Sequence, residues 1–232
     1  VCSSDLVNVQ ELLKVSVPAL TFRLSGPAPL DSQLTEKFSI TNPSATRITV
    51  QFPKEISSYR YVLKFDPSAL NIKPGAVMDV KATMTLLCTT MVHEDVEIAL
   101  FADASKKSSA AFFKTKKSDD GGSMPDAIQL LRIDVEAELS TRLDYGELKK
   151  DERPIGEGSF GVVYKGQWRG MEVAIKQLKM QILSRVELED FVKEIRMMER
   201  LRSPYVVNFV GAVLTEGHLA LVTEFMPLGN VK

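Results

Sequence analysis

Ile155-Gly156-Glu157-Gly158-Ser159-Phe160-Gly161-Val162-Val163, followed by Val173-Ala174-Ile175-Lys176, is the stretch on which the fold turns. The first part has the form G-x-G-x-x-G-x-V and the second the form V-A-I-K. The glycine spacing by itself is a weak signal, because dinucleotide-binding folds share it. Those folds open a helix directly after the glycines. Here the glycines run into Val162-Val163-Tyr164, a β-branched and aromatic run that favours an extended chain. Gly166 and Gly170 bracket a turn, and Met171 to Leu178 reads as a second strand. The spacing predicts a glycine loop at the tip of a hairpin, laid over a ligand.

The residue types suit an anionic ligand. Without Cβ atoms, Gly156, Gly158 and Gly161 let the backbone approach phosphate oxygens and present its N–H groups. Ala174 and Lys176 lie two apart on a strand and face the same way. Ala174 leaves room for a flat purine, and Lys176 reaches phosphate as a point charge. Such a lysine needs a carboxylate to hold it, and Glu194 on the next helix is the candidate. That helix begins with Ser184 and Glu187 in a capping box. Leu188, Phe191, Ile195, Met198 and Leu201 form an apolar stripe beside Glu194. Val206 to Val213 and Leu219 to Phe225 read as two further strands.

Together, these features resemble the N-terminal lobe of a eukaryotic protein kinase over residues 143–232. The loop, the lysine, the helix glutamate, the Val210-Gly211-Ala212 strand and Thr223-Glu224-Phe225-Met226 occur in the family's order. The wording of Ser203-Pro204-Tyr205-Val206-Val207-Asn208 is most similar to the tyrosine-kinase-like group. The resemblance implies an antiparallel five-stranded sheet with one large helix, and ATP as the ligand. It implies that Gly156, Gly158 and Gly161, with Ser159 and Phe160 between them, cover the phosphates. Lys176 would hold the α- and β-phosphates and pair with Glu194. Ile155, Val163 and Ala174 would sandwich the adenine, Thr223 would stand as gatekeeper, and Glu224 and Met226 would bond the adenine edge. Met198 and Phe209 match two members of the family's apolar spine. Protein hydroxyls are the implied substrates; the motifs present do not separate Ser and Thr from Tyr.

The family's catalytic half is not in these residues. Neither His93 nor His218 is followed by Arg-Asp, and Asp144-Tyr145-Gly146 precedes the glycine loop, the wrong place for a D-F-G aspartate. No metal ligands are therefore expected here, and Mg2+ is expected only with a large lobe. The chain reads as a fragment, because it begins at Val1 and ends at Lys232 just past the hinge. It is expected to bind a nucleotide and not to transfer phosphate alone.

Residues 15–113 read as an all-β, immunoglobulin-like sandwich. Phe38 and Ile40, then Ile48, Val50 and Phe52, then Tyr61, Leu63 and Phe65 alternate with polar neighbours. Met78, Val80, Ala82, Met84, Leu86 and Cys88 continue the alternation, Val96, Ile98 and Leu100 follow, and Ala111 to Phe113 is a candidate last strand. Asn42-Pro43, Asp66-Pro67 and Pro74-Gly75 mark turns between them. Phe38-Ser39-Ile40-Thr41-Asn42-Pro43-Ser44 and Phe65-Asp66-Pro67-Ser68-Ala69-Leu70-Asn71-Ile72-Lys73-Pro74-Gly75 resemble the major sperm protein family, which implies a module for protein contacts. A passive spacer is the alternative.

Residues 114–142 read as a linker, polar and glycine-bearing to about 126. Leu131, Val135 and Leu139 then predict a helix over 128–143. Net charge is −1, which argues against a nucleic-acid partner selected by bulk charge. Cys2 and Cys88 make no disulfide framework. No apolar run approaches the ~18 residues of a membrane span. Sandwich and lobe are therefore expected on one side of any membrane, the cytosolic side where ATP is. Cys88 at an inward strand position fits a reducing compartment.

Taken singly, each lobe residue has an ordinary reading: Lys176 as a surface lysine, Glu194 as a solvated glutamate, Thr223 as any strand threonine. Their joint order and spacing argue for the lobe. A genuine kinase is the first functional reading. A scaffold or adaptor with an inactive lobe, in which the sandwich binds partners, is the second.

Overall fold

The structure is a computed structural model that describes residues 13–22, 26–102, 124–180, 182–201 and 203–229. The chain divides into two compact units. The first consists of the described residues of Val1–Leu86 and Met91–Glu136, the second of those of Leu87–Thr90 and Ala137–Lys232.

The first unit contains β1 (Lys14–Val15), β2 (Ala19–Leu20), β3 (Leu34–Thr41), β4 (Ile48–Gln51), β5 (Glu55–Ser57), β6 (Tyr61–Asp66), β7 (Ala69–Ile72), β8 (Val77–Leu86), β9 (Met91–Phe101) and β10 (Ala127–Glu136). One sheet has the order β1-β3-β8-β6-β5 and the other β2-β10-β9-β4-β7. The alternation seen in the sequence is the alternation of burial. Leu34, Glu36, Phe38 and Ile40 of β3 are buried, as are Val80, Ala82, Met84 and Leu86 of β8. The sheets meet at an aromatic cluster, where the Phe52 ring stacks on Phe65 at 4.9 Å and meets Phe38 edge-on at 6.1 Å. Two turn signals bond to each other. The Gly75 N–H donates to Asn42 O at 2.8 Å, and the Asn42 N–H donates to Ala76 O at 3.1 Å. The buried Asn42 amide also donates to Thr46 O and Ile72 O. Gly75 holds a φ of +69°, a conformation that favours glycine.

Glu94 of β9 joins a polar group at the unit's surface. It accepts from the Tyr61 hydroxyl at 2.6 Å and pairs with the Arg60 guanidinium. Burial opposes its ionisation, but the hydrogen bonds from Tyr61 and Arg60 and the charge of Arg60 outweigh that and hold its carboxyl below its ordinary value. Burial and the bond to Glu94 push the Tyr61 phenol up. A carboxylate depressed in the folded state contributes stability above its unfolded pKa of about 4.3, and that stability is lost as pH falls through the folded value. The urea midpoint of this unit should therefore drop between pH 5.5 and pH 3, and Glu94→Gln should flatten the drop.

Residues 128–143 depart from expectation. Ala127–Glu136 is a strand, and residues 137–143 are irregular chain with isolated bridges rather than helix. Leu131 and Val135 fit a helical spacing, but Leu131, Ile133 and Val135 fit period two equally. They are buried while Arg132, Asp134 and Glu136 are exposed. Pairing with β9 from Ala127↔Leu100 to Glu136↔Met91 decides between the two readings, and no local signal carries that pairing. The linker thus yields β10 to the first unit and residues 137–142 to the second. Cys88 lies beyond the end of β8, buried within the second unit. The expected strand at Ala111 to Phe113 and the polar part of the linker before residue 124 lie outside the described residues.

The second unit contains β11 (Leu148–Glu157), β12 (Gly161–Trp168), β13 (Met171–Leu178), α1 (Arg185–Arg200), β14 (Phe209–Val213) and β15 (Ala220–Glu224). Its antiparallel sheet has the order β11-β12-β13-β15-β14. One core cluster joins Leu143, Trp168, Val173, Ile175, Val213, Ala220 and Val222. A second joins Phe191 and Ile195 of α1 to Ala212 and Leu221, on the opposite face of the sheet. The expected strand from Val206 begins at Phe209.

Residues 137–144 strap this sheet. The Leu143 N–H donates to Ala212 O at 2.9 Å, and the Ala212 N–H donates to Thr141 O at 2.7 Å. Because β15 occupies the other side of β14, the strap runs along the outer edge. A Cβ on Gly211 would lie 2.5 Å from Thr141 O, so only glycine allows this approach.

Candidate nucleotide site on the second sheet

Strand register builds the site. Opposed residues on neighbouring strands share a face. Val163 of β12 opposes Lys176 of β13, and Lys176 opposes Leu221 of β15. Ala174 likewise opposes Lys165 and Thr223. Val163, Ala174, Lys176 and Thr223 therefore occupy one face, the face that also carries α1. Lys176 and Thr223 are half-buried.

The glycine loop closes one end of that face. The Gly158 N–H donates to Gly161 O at 2.9 Å, and the Lys179 N–H donates to Phe160 O at 3.3 Å. Gly161 is buried, and a Cβ there would meet Gln177 O at 2.5 Å. Gly161 is thus glycine because β12 and β13 crowd it. Gly156 and Gly158 face open space, where a ligand can approach their backbone. Ile155 is exposed, and Ser159 and Phe160 form the exposed tip. The Phe160 ring lies 5.9 Å from Lys176 Nζ. At the root of the loop Glu157 pairs with Lys179 at 2.7 Å. The hydrogen bond from Lys179 and then its charge lower the Glu157 pKa. This surface pair contributes little stability.

The hinge strand is tied to the chain before β14. The Glu224 N–H donates to Asn208 O at 3.0 Å, and the Asn208 N–H donates to the Glu224 carboxylate at 2.7 Å. Thr223 Oγ1 donates to Glu224 O at 3.3 Å. Met226 is half-exposed, and its carbonyl accepts from Gly229. Leu228 at 97% and Tyr205 at 96% exposure show how much apolar surface this end leaves open.

Helix α1 begins as its sequence predicts. Ser184 N–H donates to Glu187 Oε2 at 2.8 Å, and Glu187 N–H donates to Ser184 Oγ at 3.4 Å, a closed capping box. The bonds from Ser184 lower the Glu187 pKa. Ser184→Ala should cost about 1 kcal/mol of local helix stability, read as faster amide exchange through the first turn. Of the expected stripe, Phe191 and Ile195 are buried and Met198 is half-buried, while Leu188 and Leu201 are exposed. Glu194 is exposed, and among the described residues it makes no ion pair with Lys176. The register brings the Lys176 face together with α1, but the carboxylate stands off it.

Asp144 proves to be structural. It is buried, its Oδ2 accepts from the Thr90 hydroxyl at 2.7 Å, and its Oδ1 accepts from Gly146 N–H at 2.7 Å. It caps the short 3-10 turn Tyr145–Glu147. Among the described residues no group of three or more His, Cys, Asp or Glu gathers as a metal site. The strap at Thr141 was not singled out by sequence as a lobe element. The period-two pattern through Val135 was the signal that could have suggested an extended chain there.

Comparison with known proteins places the similarity mainly in the second unit. Residues 149–232 match the family model described as protein tyrosine and serine/threonine kinase. A probable serine/threonine-protein kinase, gdt9 of Dictyostelium discoideum, is 27% identical over 219 residues, 94% of this chain and 12% of that protein. The probable serine/threonine-protein kinase SIS8 of Arabidopsis thaliana is 48% identical over 77 residues, 33% of this chain and 8% of that protein. A second Dictyostelium discoideum relative, the probable serine/threonine-protein kinase gdt2, is 30% identical over 193 residues, 78% of this chain and 10% of that protein. The chain thus spans about a tenth of the length of the curated relatives it matches. Residues 149–232 are thus similar to protein kinase domains, and the relatives named are serine/threonine-protein kinases by description.

Proposed function

We propose that this chain carries the ATP-binding part of a protein kinase acting on Ser or Thr hydroxyls of proteins. The observation that carries the reading is the shared sheet face of Val163, Ala174, Lys176 and Thr223 beside the glycine loop. The apolar side chains suit a purine, and the ammonium suits its phosphates. The open space at Gly156 and Gly158 fits the close approach of a polyphosphate. Bound ATP would supply the transferable phosphoryl group. The chain's residues position it: the loop covers it, Lys176 holds its phosphates, Glu224 and Met226 meet its base, and Glu194 steadies Lys176.

The base and magnesium ligands that such kinases use are not found among these residues, so phosphoryl transfer by this chain alone is not expected. The first unit, with its two sheets, serves in this reading as an immunoglobulin-like module, similar to major sperm protein, that docks proteins on the cytosolic side. Among the described residues no helix is long and apolar enough to cross a membrane. The test is a melting curve of the 232-residue chain with and without ADP. A rise confined to the second unit's transition supports nucleotide binding. No rise at millimolar ADP overturns it and leaves the scaffold reading.

A further inference from the structure

Glu194 is exposed while Glu199, on the same helix, is engaged. The Thr141 hydroxyl of the strap donates to Glu199 Oε1. Ala212, Leu221 and Lys176 form a row across the sheet, since Ala212 opposes Leu221 and Leu221 opposes Lys176. Helix α1 rests on the first two through Phe191 and Ile195. The strap lies beyond Ala212 at one end of the row, and Lys176 lies at the other. At about 100° per residue, Glu199 stands about 70° to one side of the midline of Phe191, Ile195 and Met198, and Glu194 about 70° to the other. The two carboxylates flank the apolar stripe on which the helix can roll.

We infer that Thr141 and Glu199 are positioning residues that work against the Lys176–Glu194 pair. A roll that brings Glu194 down toward Lys176 lifts Glu199 away from the strap. The bond from Thr141 resists that lift, so the helix rests with Glu194 outward. The strap cannot follow the helix. Leu143 is anchored in the core beneath the sheet, and the backbone of residues 141–143 is bonded to Ala212. Binding of phosphate at Lys176, or any contact that draws Thr141 off, shifts the balance toward the paired state. This inference rests on the nucleotide-site reading of Lys176 and Glu194.

The test is zero-length carbodiimide coupling of Lys176 to Glu194 in the 232-residue chain, with the cross-linked peptide quantified by mass spectrometry and no nucleotide present. Wild type should give a low yield. Thr141→Val, which keeps the β-branch and removes the donor, should raise the yield roughly ten- to a hundredfold, the weight of one hydrogen bond to a charged acceptor. Thr141→Ser, which restores the donor, should return it to the wild-type level. Glu199→Ala, which leaves the strap untouched, should raise it as Thr141→Val does, so one unfolded variant does not decide the matter. An unchanged yield in the folded Thr141 and Glu199 variants overturns the inference. Failure of the ADP shift with a raised coupling yield would overturn the proposed ligand and leave the roll of the helix standing.

Discussion

Lys176→Ala should remove most of the stabilisation of the second unit by ADP while leaving its unliganded melting temperature nearly unchanged. A ligand present at a hundred times its Kd stabilises by about 2.7 kcal/mol. In a lobe of this size that is a rise on the order of 10 °C. The lysine-to-phosphate contact is a charge-assisted hydrogen bond at a half-buried site, and its loss should weaken ADP roughly 30- to 100-fold. Lys176 contributes little to the resting fold. Its ammonium lies 5.9 Å from the exposed ring of Phe160 and belongs to neither core cluster. The variant therefore separates ligand binding from stability. Lys176→Arg should not restore the response, because a planar, forked cation does not fit a place made for a compact one. Calorimetric titration with ADP checks both variants. Equal ADP affinity in wild type and Lys176→Ala would remove Lys176 from the site.

The elements that carry those residues are legible because each follows from a local rule. The glycine loop is followed by Val162 and Val163 rather than by a helix, and the structure forms β12 there. Val173 and Ile175 alternate with Ala174 and Lys176, and the strand buries the first pair and turns the second to the helix-bearing face. Ser184 and Glu187 announce the helix start, and the capping box is closed.

What was not legible depends on distant partners. Leu131 and Val135 satisfy two periods at once, and only the β9 ladder selects the strand. Asp144 resembles a functional aspartate in its tripeptide, yet Thr90 and Gly146 take up both its oxygens. The outward Glu194 is the same kind of case. Its helix face follows from spacing, but the roll of that helix depends on Thr141, which lies 58 residues from its partner Glu199. Local pattern fixes which faces are apolar, and contacts remote in sequence fix how an element is turned on them.

The strap supplies the second large effect. Leu143→Ala should destabilise the second unit by about 3 kcal/mol, within the usual range for a buried leucine cut back to alanine. Leu143 is 2% exposed and packs with Trp168, Val173, Ile175 and Val222. The space it leaves is bordered by sheet backbone at Gly211, where an added Cβ would lie 2.7 Å from Leu143 Cγ, so collapse around the cavity is limited. A chain of two units need not unfold in one step, and the loss should appear in the second unit's transition with the first unit's unchanged. Leu139→Ala, in the same segment, removes a side chain that is 72% exposed and should change stability by no more than about 0.5 kcal/mol. If residues 137–143 were a linker, both substitutions would be neutral. Because the strap is part of the lobe, the two should differ severalfold in urea denaturation. Leu143→Ala should also raise the Lys176–Glu194 coupling yield, since a loosened strap no longer holds Glu199 in place.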